Sequence, residues 1–262
     1  MARIKINKFT NFTGEDYNQR FYDTQKIVEL FYDTQELQPP EETILKLLGK
    51  DLKKMSMLDI GVGAGRTTRH FAPKARQYIG IDYSPKMIAA CQHKFPRLKN
   101  SFILADARDM SIFKNHYFDF VFFSFNGIDY VDNKDRMTIF NEIKRIIKIG
   151  GLFCFSTHNL RNIEKLFKKQ PGLRGFIKYI LLNFYNEPKK QLSQNDHVII
   201  NDGACSFGLK TYYILPEVQI EELNQSGFKN IRLFASENGK EIDRKQLKTV
   251  QDPWIYYLAK LS

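Results

Sequence analysis

The sequence contains few cysteines and no long apolar run, and each shortage excludes a class of protein. Only three cysteines occur among 262 residues, at Cys91, Cys154 and Cys205. They are scattered, odd in number and match no metal-ligand spacing, which argues against a disulfide scaffold and against a zinc site. No uninterrupted apolar run approaches the ~20 residues that span a bilayer, and the basic N-terminus lacks the apolar stretch of a secretory signal. We therefore predict a cytoplasmic protein with reduced thiols and no bound metal.

Acidic residues are also in short supply relative to basic ones. The chain carries 40 Lys and Arg against 29 Asp and Glu, a formal net charge of +11. A basic surface attracts phosphate, so nucleic acid is one candidate partner. The excess is concentrated in residues 161–190, which contain eight basic residues and two acidic ones. Such clustering is more typical of a solvated face than of a nucleic-acid groove, and no feature of the sequence indicates an oligomeric state.

Apolar strand-like runs alternate with helical patterns from residue 52 onward. The predicted strands are Lys54–Ile60, Gln77–Ile81, Ser101–Ala105, Phe118–Phe125 and Leu152–Thr157. Helical spacing lies between them at Ser84–Phe95 and Asn133–Ile149, and the second helix is expected to stop at Gly150-Gly151. This alternation predicts an α/β fold with a mainly parallel, doubly wound sheet.

The end of the chain departs from this alternation. Pro216–Gly227 has the pattern of a helix with a glycine stop, and strand-like Phe228–Phe234 and Trp254–Ala259 follow it. Because no clear helix separates these two strands, we predict an antiparallel hairpin at the edge of the sheet.

Two further segments lie outside the alternation. Residues 1–50 are predicted to be mostly helical, and residues 159–215 form an insertion. The insertion has a basic start, an apolar stretch at Gly175–Tyr185, and a predicted strand pair at His197–Asn201 and Ser206–Ile214. We interpret the apolar stretch as core or as a lid. The alternative is an interfacial membrane helix, because its basic flanks would suit anionic lipid.

A glycine-rich loop follows the first predicted strand and precedes a helix. It runs Asp59-Ile-Gly61-Val-Gly63-Ala-Gly65. Glycines at this place let backbone N–H groups approach a ligand closely. A dinucleotide fingerprint would need a third glycine at position 66, which is Arg66, and a phosphate-binding P-loop would need Gly-Lys-Ser/Thr, which does not occur.

Carboxylates end the next two predicted strands. Asp82 stands 21 residues after Gly61, a spacing at which a carboxylate accepts hydrogen bonds from both ribose hydroxyls. Asp106 and Ala107 end the third strand, where they would meet an adenine edge. Because the carboxyl ends of adjacent parallel strands form the ligand crevice of open α/β sheets, the loop and both acids are expected to share one site.

Six stretches of the sequence together resemble a known family, the class I S-adenosylmethionine-dependent methyltransferases. They are MLDIGVGAGRTT, GIDYSPKMI, ILADARDM, FDFVFFSFNGIDYV, RIIKIGGLFCFSTHN and TYYILPEVQIEELNQSGF, in the family's order, within residues 54–160 and 210–260. The resemblance implies a doubly wound, seven-stranded, mostly parallel sheet of order 3-2-1-4-5-7-6 with strand 7 antiparallel. It also implies a helical N-terminal lid at 1–50, a Rossmann-like core at 51–158 and 216–262, and an inserted cap at 159–215.

The resemblance further implies S-adenosyl-L-methionine as cofactor and S-adenosyl-L-homocysteine as product. The glycine loop would pack against the methionine part, ordered by Asp59, and an N-terminal tyrosine, Tyr17 or Tyr22, would close over the cofactor. The cofactor-binding residues implied are Asp59, Gly61, Val62, Gly63, Gly65, Asp82, Tyr83, Met87, Asp106, Ala107, Phe125 and Tyr22.

Three residues near the expected site are candidates for contact with the acceptor. His158 follows the fifth strand at its carboxyl end and is our candidate general base, while Asn126 and Asp129 follow the fourth strand. The leading hypothesis is methyl transfer to an oxygen or nitrogen of a small-molecule acceptor. The alternatives are an RNA or tRNA methyltransferase, which charge alone supports, and a non-catalytic methyltransferase-like binding module. A nicotinamide-dependent oxidoreductase is disfavoured by Arg66.

Overall fold

The computed structural model of the protein describes residues 17–22, 24–204 and 206–262. The strands are β1 (Ser56–Ile60), β2 (Gln77–Asp82), β3 (Phe102–Leu104), β4 (Phe118–Phe123), β5 (Ile147–Asn159), β6 (His197–Ile200), β7 (Thr211–Ile214), β8 (Phe228–Ala235) and β9 (Trp254–Leu261). The α-helices are α1 (Tyr17–Tyr22), α2 (Gln25–Asp33), α3 (Pro39–Leu48), α4 (Thr68–Phe71), α5 (Pro85–Lys94), α6 (Asn133–Ile146), α7 (Ile163–Leu166), α8 (Gly172–Tyr185), α9 (Lys189–Leu192) and α10 (Pro216–Gln225).

The central sheet has the predicted strand order. Strands β1 to β5 are parallel and lie in the order β3-β2-β1-β4-β5. Strand β9 follows, antiparallel to β5, and β8 pairs with β9 at the edge. This arrangement confirms the order 3-2-1-4-5-7-6 with an antiparallel last strand, because β9 is inserted between β5 and β8.

The inserted segment adds a hairpin to this sheet beyond the end of β4. Strand β6 pairs antiparallel with β7, and Tyr213 of β7 pairs in parallel with His158 of β5. Since Trp254 of β9 pairs with His158 on its other side, β7 lies on the same edge of β5 as β4. The hairpin therefore raises a wall above the carboxyl end of the sheet.

The predicted boundary between α6 and β5 was wrong by three residues. The glycines at 150 and 151 were expected to stop a helix at Ile149, but α6 ends at Ile146 and the strand begins at Ile147. The helix ends earlier than predicted because Ile147 pairs with Phe118 of β4 and is therefore part of the strand. Both glycines instead lie in an irregular stretch of β5, where Gly150 has a φ of 78° and the register with β4 shifts.

Alternation along the strands divides the buried side chains between the two faces of the sheet. In β4, Val121 and Phe123 join the cluster covered by α6 and α10, while Phe120 and Phe122 join the cluster covered by α3, α4 and α5. Burying an aromatic or aliphatic side chain contributes roughly 1.5–3 kcal/mol, so both layers stabilise the sheet from which the site projects. Cys91 and Cys154 are buried and free, whereas Cys205 lies outside the described residues.

Residues of the insertion build a third hydrophobic cluster of their own, with members from α7, α8, β6 and β7. Among the described helices, none is long and apolar enough to cross a membrane.

Candidate functional site

A cleft opens at the carboxyl ends of β1, β2, β3 and β4. Its walls come from the loops that follow these strands, and α1 and α2 close one side. Eleven of the twelve predicted cofactor residues line it, namely Asp59, Gly61, Val62, Gly63, Asp82, Tyr83, Met87, Asp106, Ala107, Phe125 and Tyr22. The twelfth, Gly65, does not.

The glycines of the loop serve different purposes. Gly63 and Gly65 both have positive φ, 54° and 80°, which favours glycine. A Cβ added to Gly63 would meet nothing within 4 Å, so the space next to its Cα, beside the cleft, is empty. A Cβ on Gly65 would come within 2.5 Å of the Phe95 ring and 3.2 Å of the Cys91 sulfur. Gly65 is therefore required for packing against α5, and Gly63 for leaving room.

Asp82 is held at the end of β2 by the backbone around it. Its Oδ2 accepts a hydrogen bond from the N–H of Gly63, and its Oδ1 accepts one from the N–H of Ser84, both at 2.9 Å. Burial raises the pKa of the carboxyl from 3.8 to about 6, although the backbone hydrogen bonds act in the opposite direction. The group is thus mostly ionised at neutral pH, and each oxygen keeps capacity to accept a hydroxyl.

Asp59 lies beneath the loop, with its carboxylate facing the body of the protein. Its Oδ2 accepts hydrogen bonds from the Thr67 hydroxyl at 2.5 Å and the Tyr78 hydroxyl at 2.7 Å. Burial raises its pKa to about 6, against the effect of these two bonds. Because Thr67 immediately precedes α4 and Tyr78 lies in β2, both after the loop, Asp59 fixes the path of the loop.

Asp106 is less buried than the other two acids and forms a close pair with Arg108. The Arg108 guanidinium donates to both carboxylate oxygens, and it also donates to Asp135 at 2.9 Å. This arrangement fixes the Asp106 carboxylate at the cleft wall.

Aromatic rings from the N-terminal helices meet aromatic rings from the loops of the sheet at this cleft. The Tyr22 ring centroid lies 5.2 Å from that of Tyr130 and 6.3 Å from that of Tyr83. Phe31 of α2 packs on the other side of Tyr22 at 6.1 Å. The side chain of Tyr17, the other candidate for closing the cleft, lies outside the described residues.

The three predicted acceptor residues form one hydrogen-bonded chain. Asp129 is buried, and its Oδ2 accepts from both the backbone N–H and the ring Nδ1–H of His158 at 2.7 Å. With the proton held on Nδ1, the Nε2 of His158 is the basic nitrogen. The Asn126 amide donates to this Nε2 at 3.3 Å.

Arg136 supplies the charge that balances Asp129. Its side chain is fully buried and donates to Asp129 Oδ1 at 2.7 Å and to the Gln219 amide oxygen at 2.6 Å. Its guanidinium also stacks on the Tyr212 ring, 4.2 Å from the centroid. Since the Thr157 hydroxyl takes another lone pair of Oδ1, Asp129 is fully engaged with its own chain.

None of His158, Asn126 and Asp129 lines the cleft itself. Phe125 and Gly127, which flank Asn126, do line it. The three hydrogen-bonded residues therefore lie directly behind the turn at residues 125–127. Phe125 and Asn126 both have positive φ, 53° and 60°, and such strained non-glycine residues cluster at functional sites.

Two polar atoms beside this turn lack a hydrogen-bond partner. They are the buried Oδ1 of Asn126 and the buried Nε1 of Trp254. The Trp254 ring contacts both Phe125 and His158, at 6.2 and 6.3 Å between centroids. A buried polar atom left unpaired costs about 1–3 kcal/mol, so these two atoms are suited to receiving a polar ligand.

Sequence reasoning missed a second charged network, which joins the N-terminal segment to the cleft. Glu41 of α3 is fully buried and accepts hydrogen bonds from Arg66, which also lines the cleft, and from the hydroxyls of Ser124 and Tyr256. The Arg66 guanidinium also lies 5.2 Å from the centroid of the Phe125 ring. The only signal in the sequence was a glutamate at the third position of a helix start, which also indicates a cap.

No group of three or more His, Cys, Asp or Glu side chains within the described ranges is arranged to hold a metal ion.

Known proteins match both the sequence and the fold. A family model for a methyltransferase domain matches residues 57–151. Malonyl-[acyl-carrier protein] O-methyltransferase of Hamiltonella defensa is 25% identical over 162 residues, 58% of this chain and 60% of that protein. Phosphoethanolamine N-methyltransferase 2 of Caenorhabditis elegans is 31% identical over 111 residues, 41% of this chain and 25% of that protein. The matches thus span less than two thirds of either relative.

A solved structure extends the likeness to the whole fold. The S-adenosylmethionine-dependent methyltransferase of Mesorhizobium loti superposes with a TM-score of 0.59 at 17% identity, over 84% of this chain and 97% of that one.

Proposed function

We propose that the chain is a class I S-adenosylmethionine-dependent methyltransferase, in keeping with its methyltransferase-domain match and its fold, and that it transfers the cofactor's methyl group to an oxygen or nitrogen of a small-molecule acceptor. The observation that carries the proposal is the pairing of an open glycine loop with a buried, hydrogen-bonded Asp82 in one cleft. The cofactor supplies a methyl carbon that its sulfonium makes electrophilic, and S-adenosylhomocysteine is the product.

The residues of the cleft fit this cofactor. Asp82 presents an acceptor pair whose backbone bonds leave lone pairs for two ribose hydroxyls. The space beside Gly63, which a Cβ would enter, leaves room for the chain of the methionine part. Tyr83 and Met87 flank the adenine in this proposal, and Asp106 with Ala107 meets its amino edge.

The remaining binding residues support that arrangement. Gly61, Val62 and Gly65 shape the loop, Asp59 holds it from beneath, and Phe125 borders the reactive centre. Tyr22 covers the cofactor from the N-terminal side, so that α1 and α2 act as a lid and exclude water. The insertion at 159–215 acts as a cap that selects the acceptor.

His158 takes the acceptor's proton. As the acceptor oxygen or nitrogen forms its bond to carbon, the Asn126 amide gives up its hydrogen bond to Nε2 of His158. The proton on the acceptor atom then passes to that Nε2, while Nδ1 keeps its hydrogen bond to Asp129. Asp129 is a positioning residue, because its oxygens are engaged by Arg136, Thr157 and His158. Asn126 orients the acceptor through its unpaired Oδ1. Holding the reactants in line contributes roughly 7–11 kcal/mol to such reactions, so positioning matters more than acid–base chemistry.

Calorimetry with S-adenosylmethionine and S-adenosylhomocysteine tests the cofactor, and an acceptor screen that detects methylated product tests the reaction. The intact loop and both acids predict binding in the micromolar range. Binding without any product from a broad screen would favour the non-catalytic module. Tight tRNA binding that weakens steeply with salt, together with methylated tRNA, would favour the RNA alternative.

The His158→Ala variant separates the base from the binding site. We expect turnover to fall about 10²–10⁴-fold, the usual contribution of general acid–base catalysis, while cofactor affinity stays within a few-fold. The exposed His116, which precedes β4 at the amino end of that strand, provides a matched His116→Ala control with near-normal turnover. A large loss of cofactor binding in His158→Ala would show that the role is wrongly assigned.

A further inference from the structure

Helix α8 is an apolar element over which, among the described residues, almost nothing packs. Leu182 is its only fully buried residue. Of the thirteen exposed large hydrophobic side chains among the described residues, seven lie on this 14-residue helix, at Leu173, Phe176, Ile177, Tyr179, Ile180, Phe184 and Tyr185. Single exposed apolar side chains are ordinary on a protein surface, but a cluster of this density marks an interaction site.

Most of these side chains share one face of the helix. Leu173, Phe176, Ile177, Ile180 and Phe184 follow one another at intervals of three, one, three and four residues. Residues three and four apart are neighbours on a helix surface, so the five form a continuous stripe directed away from Leu182. Leu173 is the most exposed of them, at 74%.

Basic residues border the stripe. Lys168 and Lys169 precede the helix, and Arg174 follows Leu173 within it, all three exposed. The ammonium of Lys169 lies 4.8 Å from the centroid of the Phe176 ring, so charge and apolar surface adjoin directly. Lys and Arg carry a long apolar stem and a charged tip, which lets them reach from an apolar surface to anionic groups above it.

We propose that α8 docks the protein on the surface of an anionic lipid bilayer. The apolar stripe would penetrate the boundary between headgroups and acyl chains, and the basic residues beside it would meet anionic headgroups. A membrane surface therefore accounts for both the stripe and the basic residues. At 1.5 Å per residue the helix is about 21 Å long, shorter than the ~30 Å hydrocarbon core, so it lies in the plane of the membrane.

The charges argue against two other occupants. A second copy of the chain packed symmetrically on this face would bring like-charged residues around the two stripes close together, which is unfavourable. A nucleic acid would satisfy the lysines and Arg174 but would leave the apolar stripe in water.

Vesicle flotation with the full chain tests the proposal. We expect binding to phosphatidylcholine vesicles that contain about one third phosphatidylglycerol to be at least ~10-fold tighter than to phosphatidylcholine alone, and to weaken at high salt. Equal or absent binding to the two kinds of vesicle would overturn the proposal.

Two pairs of variants identify the surface. Phe176→Ser with Ile180→Ser should lower vesicle affinity at least ~10-fold, because it removes buried apolar area from the contact. The matched control, Ile112→Ser with Ile149→Ser, changes two exposed apolar residues outside the helix and should bind normally. Lys168→Glu with Lys169→Glu should abolish the preference for phosphatidylglycerol. Unchanged binding in the α8 variants, or a dimer in solution that only the Phe176/Ile180 variant dissociates, would contradict membrane docking.

Calorimetry with S-adenosylhomocysteine on the same preparations keeps the two proposals apart. Normal nucleoside binding without vesicle binding overturns only the docking surface, and the reverse result overturns only the proposed function.

Discussion

Asp82 combines burial, which favours its neutral form, with two backbone hydrogen bonds, which favour its ionised form. Burial is the larger effect, and the pKa of the carboxyl is raised to about 6. A ribose that donates two hydroxyl hydrogens binds the carboxylate better than the protonated acid. In the proposed arrangement, binding of the cofactor and loss of this proton are therefore linked.

The first prediction follows from the sign of that shift. Affinity for S-adenosylhomocysteine should increase as the pH rises from about 5 to about 7, by at most about tenfold per unit, and level off once Asp82 is ionised. Calorimetry across this range measures it. The Asp82→Asn variant should bind S-adenosylhomocysteine more weakly, and its affinity should increase much less with pH. An unchanged rise in that variant would identify Asp59, whose pKa is also about 6, as the titrating group.

The glycines of the loop allow a matched comparison between binding and stability. Gly63→Ala adds a methyl group in open space and should weaken cofactor binding at least ~10-fold, while its positive φ lowers stability by only about 1 kcal/mol. Gly65→Ala drives a Cβ against Phe95 and should lower the free energy of unfolding further, by ~2–4 kcal/mol. Urea unfolding and calorimetry on both variants test this. Equal effects on stability would contradict the division of roles.

Local pattern identified the candidate residues of the cleft but not the pairs that hold them. Asp82 could be selected from its distance to the glycine loop and its place at a strand end. Glu41 could not, because its partners Arg66, Ser124 and Tyr256 are 25, 83 and 215 residues away. Arg136 is detectable in the sequence as a charged residue at a position that continues the apolar spacing of α6. Its pairing with Asp129 depends on the fold and is not detectable.

At the scale of elements, α3 is fastened to the sheet by a buried ion pair. Glu41 has 0% of its side chain exposed and Arg66 11%, so neither charge is well solvated. Burial disfavours the charged form of Arg66, but its hydrogen bonds and charge interaction with Glu41 outweigh this and raise its pKa. Removing one partner would leave an uncompensated charge.

This arrangement predicts that Glu41→Gln destabilises the protein by about 3–5 kcal/mol, as expected when a buried pair is broken. The double variant Glu41→Gln with Arg66→Met removes both charges and should recover at least half of that loss. Chemical denaturation of the two variants and the parent measures this coupling. If the losses simply add, the two charges do not stabilise each other.

The sequence predicts most of the helices and strands, but it does not predict where they end. Strand β4 is a nearly continuous apolar run, which predicts burial on both faces, and its phenylalanines and Val121 are buried. The predicted end at Phe125 was two residues too late, and Phe125 is exposed. The end of α6 was misplaced because glycines at 150 and 151 are typical helix stops. The pairing of Ile147 with Phe118, which ends the helix earlier, is a tertiary contact that no local pattern contains.

At the scale of the molecule, the cleft joins all the parts that surround it. Its walls come from four strand ends and from α1 and α2, so a ligand there stabilises the fold as a whole. At about 100 times its dissociation constant, S-adenosylhomocysteine should add ~2.7 kcal/mol. For a chain of this size that raises the melting temperature by about 5–10 °C. Scanning fluorimetry tests this prediction, with Asp82→Asn as control. A cooperative melt that the ligand does not shift would rule out binding in the cleft.

The separate hydrophobic cluster of the insertion has a consequence for how this protein can change over time. Its members pack on one another rather than within either layer that covers the sheet. Mutations on the outer stripe of α8 therefore leave the packing of the two layers around the sheet intact. Selection can therefore change the five residues of that stripe while Leu182 and the rest of the insertion cluster stay in place.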